Sequence, residues 1–202
     1  LMERDIFSQA KTIATLDRLS GGRVMIGTGV GWNQEEYENV SPHPFNKRYA
    51  VLRETVEATR ALWTQEEAGY QGQYIKFDPV WAQPKPLQQG GPKIFLGAMG
   101  PLGRKHAASW ADGWYPVDVA MGDVAATVAA FGEEVREAGR NPDDIEINIQ
   151  IMDLGNLDKL KEYRDMGIQR ATIGVSMDSW DKPETVMPMI DNYAKIIPEL
   201  KP

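Results

Sequence analysis

The chain has 202 residues, 42% hydrophobic and 25% charged, a globular profile long enough for one sizeable core. A formal net charge of -7 and a pI near 5.0 argue against nucleic acid as a partner, because phosphate backbones attract basic surfaces. The absence of cysteine excludes disulfides and thiolate chemistry. Two histidines without metal spacing argue against zinc, and the absence of a long apolar run argues against a membrane span. A cytoplasmic protein is the expectation.

In chain order, Ile6, Ala10, Ile13 and Leu16 recur at helical spacing within Glu3–Leu19, and Ser20-Gly21-Gly22 stops the helix. Arg23–Gly29 reads as a buried parallel strand running into Gly27-Thr28-Gly29-Val30-Gly31-Trp32-Asn33. Alternating glycines there suit either a ligand or crowding by neighbouring backbone. Gln34–Lys47 is expected as a loop, with His43 held extended between Pro42 and Pro44. His43 is a candidate acid or base facing the substrate, although a surface-loop histidine is more often an ordinary one. Arg48–Trp63 is a second amphipathic helix, with Arg53 and Glu57 paired across one turn. Thr64–Pro92 shows no helical period and is expected as a lid or binding loop, with Tyr74–Phe77 as a short strand or hairpin arm within it.

Lys93–Leu96 is a short apolar strand that breaks at Gly97, passes Ala98, Met99 and Gly100, and meets Pro101. Leu102, His106 and Trp110 then fall at helical spacing. A strand, a glycine turn and a helix start leave amides free at a positive helix terminus, where a cofactor phosphate is welcome. An ordinary βα connection with glycine as turn former is the other reading of the same residues. Asp112–Val117 is a strand, Asp123–Ala138 a helix with Val124, Val128, Phe131 and Val135 inward, and Ile145–Ile151 an alternating strand. Asn156 or Asp158 caps a helix that ends at Gly167, Gln169–Ser176 is a strand, and Pro183 opens the last helix.

Strand–helix alternation implies a parallel sheet with helices outside, and the expected strands number five. A closed (β/α) barrel needs eight strands and about 250 residues, whereas an open doubly wound sheet needs no more than is here. The isoleucine strand favours the barrel. Glu146, Asn148 and Gln150 make its second face polar, which suits a barrel interior better than a sheet covered on both sides.

Ala14-Thr15-Leu16-Asp17-Arg18-Leu19-Ser20-Gly21-Gly22-Arg23, followed by Gly27-Thr28-Gly29-Val30-Gly31-Trp32, resembles the bacterial-luciferase-like monooxygenases, nearest to their branch using the deazaflavin coenzyme F-420. Arg48 with Glu54, Leu62-Trp63, Gly72 with Tyr74, Pro84-Lys85-Pro86, Pro92-Lys93-Ile94 and Ala111-Asp112-Gly113-Trp114 continue the resemblance in order. It implies a luciferase-like (β/α)8 barrel of TIM type, usually dimeric. About five of the eight parallel strands would lie in residues 1–202, read as one incomplete domain that lacks the first three strands. It also implies an oxidoreductase or monooxygenase using FMN or coenzyme F-420 on a small organic substrate. By resemblance, the phosphate sits on Gly97, Ala98, Met99 and Gly100. Gly29, Gly31 and Asn33 lie beneath the flavin or deazaflavin ring, and Trp114 stands at a strand end near it or is simply a core aromatic. In the sugar-phosphate dehydrogenase branch an acidic proton donor occupies the position of Val30, and valine moves no proton.

Trp32, Tyr37, Phe45, Tyr74 and Trp81 in the loops at the mouth predict an apolar or aromatic substrate, with His43 the best titratable group there. Two other readings stand beside this one: a cofactor-binding protein without turnover, and a barrel lyase or isomerase using the same anion seat. The second lacks a lysine or carboxylate pair at the strand ends, Asp112 and Asp153 being the nearest acids.

Overall fold

The computed structural model describes residues 1–152, 158–175 and 178–200. The chain divides into two compact units, Leu1–Gly97 and Ala98–Pro202.

In the first unit, Asp5 starts helix α1 (Ile6–Leu19) by accepting the Ser8 amide at 2.7 Å. The helix stops where Gly21 and Gly22, at φ +70° and +78°, return their amides to the carbonyls of Arg18 and Asp17. Strand β1 (Met25–Thr28) follows. The expected loop after it contains a helix, α2 (Gln34–Val40). Asn33 caps α2, Glu35 and Glu36 complement its dipole, and Tyr37 is its one buried residue, so seven residues were too few to show a period. A 3₁₀ turn over Phe45–Lys47 leads into α3 (Arg48–Thr64). Leu52, Val56 and Leu62 of α3 are buried, each worth about 2 kcal/mol in transfer from water. The Trp63 indole N–H donates to the Ala10 carbonyl at 3.0 Å, joining α3 to α1.

Thr64–Pro92 is not a free lid. It contains an antiparallel hairpin, β2 (Ala68–Gln71) with β3 (Lys76–Val80), and the segment is strapped to the helices by half-buried polar groups and the buried Asp17. Glu54 accepts the amides of Gln73, Tyr74 and Ile75 at 2.7–3.0 Å. The Tyr70 hydroxyl donates to Glu57 at 2.6 Å. The Lys85 ammonium donates to the carbonyls of Leu62 and Gln65, closing the C-terminal end of α3. Asp17 accepts the amides of Leu87 and Gln88. The unit closes with β4 (Lys93–Leu96), parallel to β1, with Met25 opposite Lys93 and Thr28 opposite Leu96.

The second unit opens with α4 (Pro101–Trp110). Its inward residues are Gly103, Ala107 and Ala108, whereas Leu102 is 55% exposed and His106 and Trp110 are half-buried. The side-chain spacing predicted the wrong face, because small residues that permit close packing carry little hydrophobic signal. The strand expected at Asp112–Val117 is shorter: β5 (Gly113–Trp114), with Val117 bridging to Gln150. Helix α5 (Val124–Glu137) starts at Asp123, which accepts the Ala126 amide, and buries Phe131 and Val135. Strand β6 (Glu146–Ile151) runs parallel to β5, and β7 (Arg170–Ile173) parallel to β6. Helices α6 (Asp158–Asp165) and α7 (Pro183–Leu200) complete the described elements. Of the expectations made for this region, Asp153, Asn156 and Ser176 lie outside the described residues.

The register of the second unit sorts its side chains cleanly. Trp114 lies opposite Ile147, Ile149 opposite Ala171, and Ile151 opposite Ile173, so these share one face. Phe131 of α5 covers Trp114, and Leu160 of α6 with Val186 and Ile190 of α7 line the space over Ala171 and Ile173. Glu146, Asn148, Gln150, Arg170 and Thr172 form the opposite, polar face. The helices cover one side only, as a barrel wall requires and a doubly wound sheet does not.

Candidate functional site

The carboxyl ends of β1 and β4 are level. The Gly97 amide donates to the Thr28 carbonyl at 2.8 Å, extending the ladder one residue past each strand. That amide is thereby committed to the sheet and is not a donor for a ligand. A Cβ placed on Gly27 would meet nothing within 4 Å, and one on Gly29 only the Gly97 carbonyl oxygen at 4.0 Å. Crowding by this chain's own backbone is therefore not why glycine stands at either position.

Gly31 has φ +73°, a conformation that favours glycine. Arg48 fixes its carbonyl, donating from Nε at 3.1 Å while Nη1 donates to the Phe45 carbonyl at 3.1 Å. The guanidinium lies 4.0 Å over the Phe45 ring. The side-chain oxygen of Asn33 accepts the amides of Glu35 and Glu36, so it serves the start of α2 and leaves only the NH₂ for a ligand. Between these two anchors Trp32 is 89% exposed.

His43 is half-buried, edge-on to the Tyr74 ring with centroids 5.3 Å apart, and its backbone N–H donates to Ser41 Oγ. Glu54 stands behind this pair. Burial pushes its carboxyl up, but the amides of Ile75, Tyr74 and Gln73 and the charge of His43 outweigh burial and hold it below the ordinary 4.5. Arg48 and Glu54 were noticed only as family features. Their roles were hidden because a charged residue on an amphipathic helix reads as solvated.

The expected aromatic mouth contracts. Tyr37 is fully buried against Phe45. Trp81 lines a cleft with Phe7, Leu62 and Trp63, beside the C-terminal end of α3, the end away from Arg48. Trp32 and Tyr74 remain.

In the second unit, the residues leading into α4 carry the anion-binding features. Asp5, Asn33 and Asp123 cap α1, α2 and α5 with side-chain oxygens, whereas Lys47 before α3 and Gly100 before α4 supply none, and the first turns of α3 and α4 hold no acidic residue. Pro101 at the first helical position needs no partner. Met99 is half-buried and Gly100 exposed, and among the described residues their amides donate to no acceptor. A Cβ on Gly100 would meet nothing within 4 Å. Ala98 is buried and its carbonyl accepts the Trp114 indole N–H at 2.8 Å. Met99 Sδ accepts the Val117 amide at 3.3 Å. Trp114 itself is completely buried, its ring centroid 4.7 Å from that of Phe131. It presents no exposed surface, as its reading as a core aromatic implies. Arg104 makes a forked pair with Glu134 at 2.7–3.3 Å, tying α4 to α5.

Residues 1–152 match the sequence profile of the luciferase-like monooxygenases, three quarters of the chain. The chain belongs to that family. An uncharacterised protein of Mycobacterium tuberculosis is 40% identical over 185 residues, 89% of this chain and 62% of the relative. The F420-dependent glucose-6-phosphate dehydrogenase of Nocardia farcinica is 34% identical, covering 70% of this chain and 43% of that protein. The FMNH(2)-dependent dimethylsulfone monooxygenase of Pseudomonas putida is 30% identical, covering 63% and 38%. This luciferase-like chain thus spans less than two thirds of the length of these curated relatives. A solved F420-dependent secondary alcohol dehydrogenase superposes on all of it and on 77% of its own chain, with a TM-score of 0.77 at 20% identity. The fold is the α/β barrel type of the family, with five parallel strands among the described residues, two in the first unit and three in the second. No helix among the described residues is long and apolar enough to cross a membrane.

Proposed function

We propose that this luciferase-like protein is an oxidoreductase using FMN or coenzyme F-420, with the cofactor phosphate seated on the amides of Met99 and Gly100 at the start of α4. One observation carries the reading: α4 is a helix of ten residues whose N-terminus has neither a side-chain cap nor an acid, preceded by an open glycine. An anionic phosphate supplies at α4 the negative charge that a capping side chain supplies at the start of other helices. The names of the relatives from Nocardia farcinica and Pseudomonas putida support a flavin-type redox cofactor and favour turnover over binding alone.

When bound, such a cofactor supplies the hydride or oxygen chemistry. This chain's residues bind and orient it. Gly29 and Gly31 leave backbone, rather than side chain, at the end of β1, where the ring would lie. Arg48 fixes the carbonyl between them and Trp32. Trp32 offers an apolar surface suited to a small organic substrate. His43 is the titratable group assigned to proton handling, oriented by Tyr74 and by its extended backbone. Val30 at the position of an acidic donor argues against sugar-phosphate oxidation.

The test is a pair of titrations followed by absorbance and fluorescence. FMN is compared with riboflavin, and the deazaflavin coenzyme with its form lacking the phosphate-bearing tail. The proposal expects saturable binding of one phosphorylated member, roughly a hundredfold tighter than its partner, the scale of two or three charge-assisted hydrogen bonds. Equal affinity within either pair would remove the phosphate seat.

A further inference from the structure

We propose that Trp114 is a positioning residue for the cofactor phosphate, acting through the peptide between Ala98 and Met99. The inference rests on the phosphate reading above and assigns the residue that orients its donor.

The argument begins with the peptide plane. In a trans peptide the carbonyl of one residue and the amide of the next point in opposite directions. The Ala98 carbonyl is held by the Trp114 indole N–H at 2.8 Å. Trp114 shares its face with Ile147, the face covered by Phe131 of α5, and is completely buried there. Holding the Ala98 oxygen toward that face turns the Met99 amide the opposite way. The Met99 sulfur accepts the Val117 amide at 3.3 Å and is a second anchor of the turn. The oxygen is held on the Trp114 side, and the amide projects on the other.

Burial makes the anchor stiff. Ala98 is 7% exposed, so its carbonyl has no ready substitute partner if the indole is removed, and an unsatisfied buried acceptor favours rotation of the peptide to find another. Rotation would carry the Met99 amide away from its direction. A tryptophan is suited to this position because its ring fills the layer against Phe131 while its single N–H reaches the turn. Phenylalanine would keep much of the packing and lose the donor.

The experiment is Trp114→Phe, read by the ratio of FMN to riboflavin affinity and, in the deazaflavin pair, by the corresponding ratio with and without the phosphate tail. The ring is common to both members of each pair, so general damage to the fold lowers both affinities and leaves the ratio unchanged. The proposal expects the ratio for the preferred cofactor to fall at least tenfold, roughly one charge-assisted hydrogen bond. It also expects the Met99 amide resonance, which shifts when inorganic phosphate is added to the wild-type chain, to stop responding in the variant. An unchanged ratio with a responsive Met99 amide would overturn it. If Trp114→Phe does not fold, 3-benzothienylalanine at position 114 keeps the shape without the N–H, and the same two outcomes decide. A wild-type chain that binds both members of each pair equally would remove the seat and this role with it.

Discussion

The carboxylate of Asp17 accepts the backbone amides of both Leu87 and Gln88, at 2.8 and 2.9 Å, across seventy residues of sequence. The Gln88 side chain adds a third bond to the other carboxylate oxygen at 2.7 Å and continues to the Val24 carbonyl, so one buried acid ties α1, the start of β1 and the approach to β4 together. Burial pushes this carboxyl up, yet the hydrogen bonds from Gln88 and Leu87 outweigh it and hold it below the ordinary 3.8. A depressed folded value means the unfolded chain binds more protons, so the contribution is complete above about pH 5 and is lost as pH falls below 4 through the folded value. Asp17→Asn, which turns an NH₂ toward donors, is expected to cost about 3 kcal/mol at pH 7 and to flatten the acid limb of the stability curve. Urea unfolding at pH 7 and at about pH 3 checks both; an unchanged acid limb would contradict the assignment.

Gly91 makes a second prediction. Its φ is +92°, and a Cβ there would overlap the indole of Trp63. That ring cannot move aside, because it is buried and its N–H is bonded to the Ala10 carbonyl. Gly91→Ala is expected to cost about 3 kcal/mol or more, combining backbone strain with overpacking. A thermal midpoint within 2 °C of wild type would show the loop free to rearrange.

Tyr37 makes the opposite prediction. Its ring is fully buried against Phe45, and its hydroxyl has no hydrogen-bond partner among the described residues. Removing a buried group that is paired with nothing costs no bond and ends its desolvation penalty. Tyr37→Phe is expected to raise stability by about 1 kcal/mol, measured by urea unfolding; a loss of similar size would show that the hydroxyl has a partner in solution.

The alternation of strands and helices was legible because its signals are local. Isoleucine at every second residue marks β6, Asp123 marks a helix start, and Gly21, Gly139 and Gly167 mark stops with positive φ. The turn from Gly97 to Gly100 was legible for the same reason. Four things were not. Helix α2 is too short for a period, and α4 packs through Gly103, Ala107 and Ala108, which hydropathy barely registers. The fastening of Thr64–Pro92 to the helices depends on Asp17, Glu54 and Lys85, whose partners lie far along the chain. A two-residue strand shows no alternation, so the side on which Trp114 lies became visible only in its register with Ile147. Several family-like residues, Asp17, Glu54, Trp63, Lys85 and Trp114 among them, prove to hold the scaffold. The sequence resemblance was thus carried in part by residues that hold the fold together.

The most direct measurement uses Gly100, where the requirements of stability and binding part. Its φ of -73° and open surroundings accept any side chain, and an aspartate there would cap α4 with its own carboxylate. Gly100→Asp is expected to raise the stability of the chain by up to about 1 kcal/mol, since a cap and a favourable dipole contact are gained. The same carboxylate would stand beside the amides of residues 99 and 100 assigned to the phosphate and repel it. The account predicts a higher thermal midpoint together with loss of the preference for FMN over riboflavin, or for the deazaflavin coenzyme over its tail-free form. A variant that gains stability and keeps that preference would contradict it.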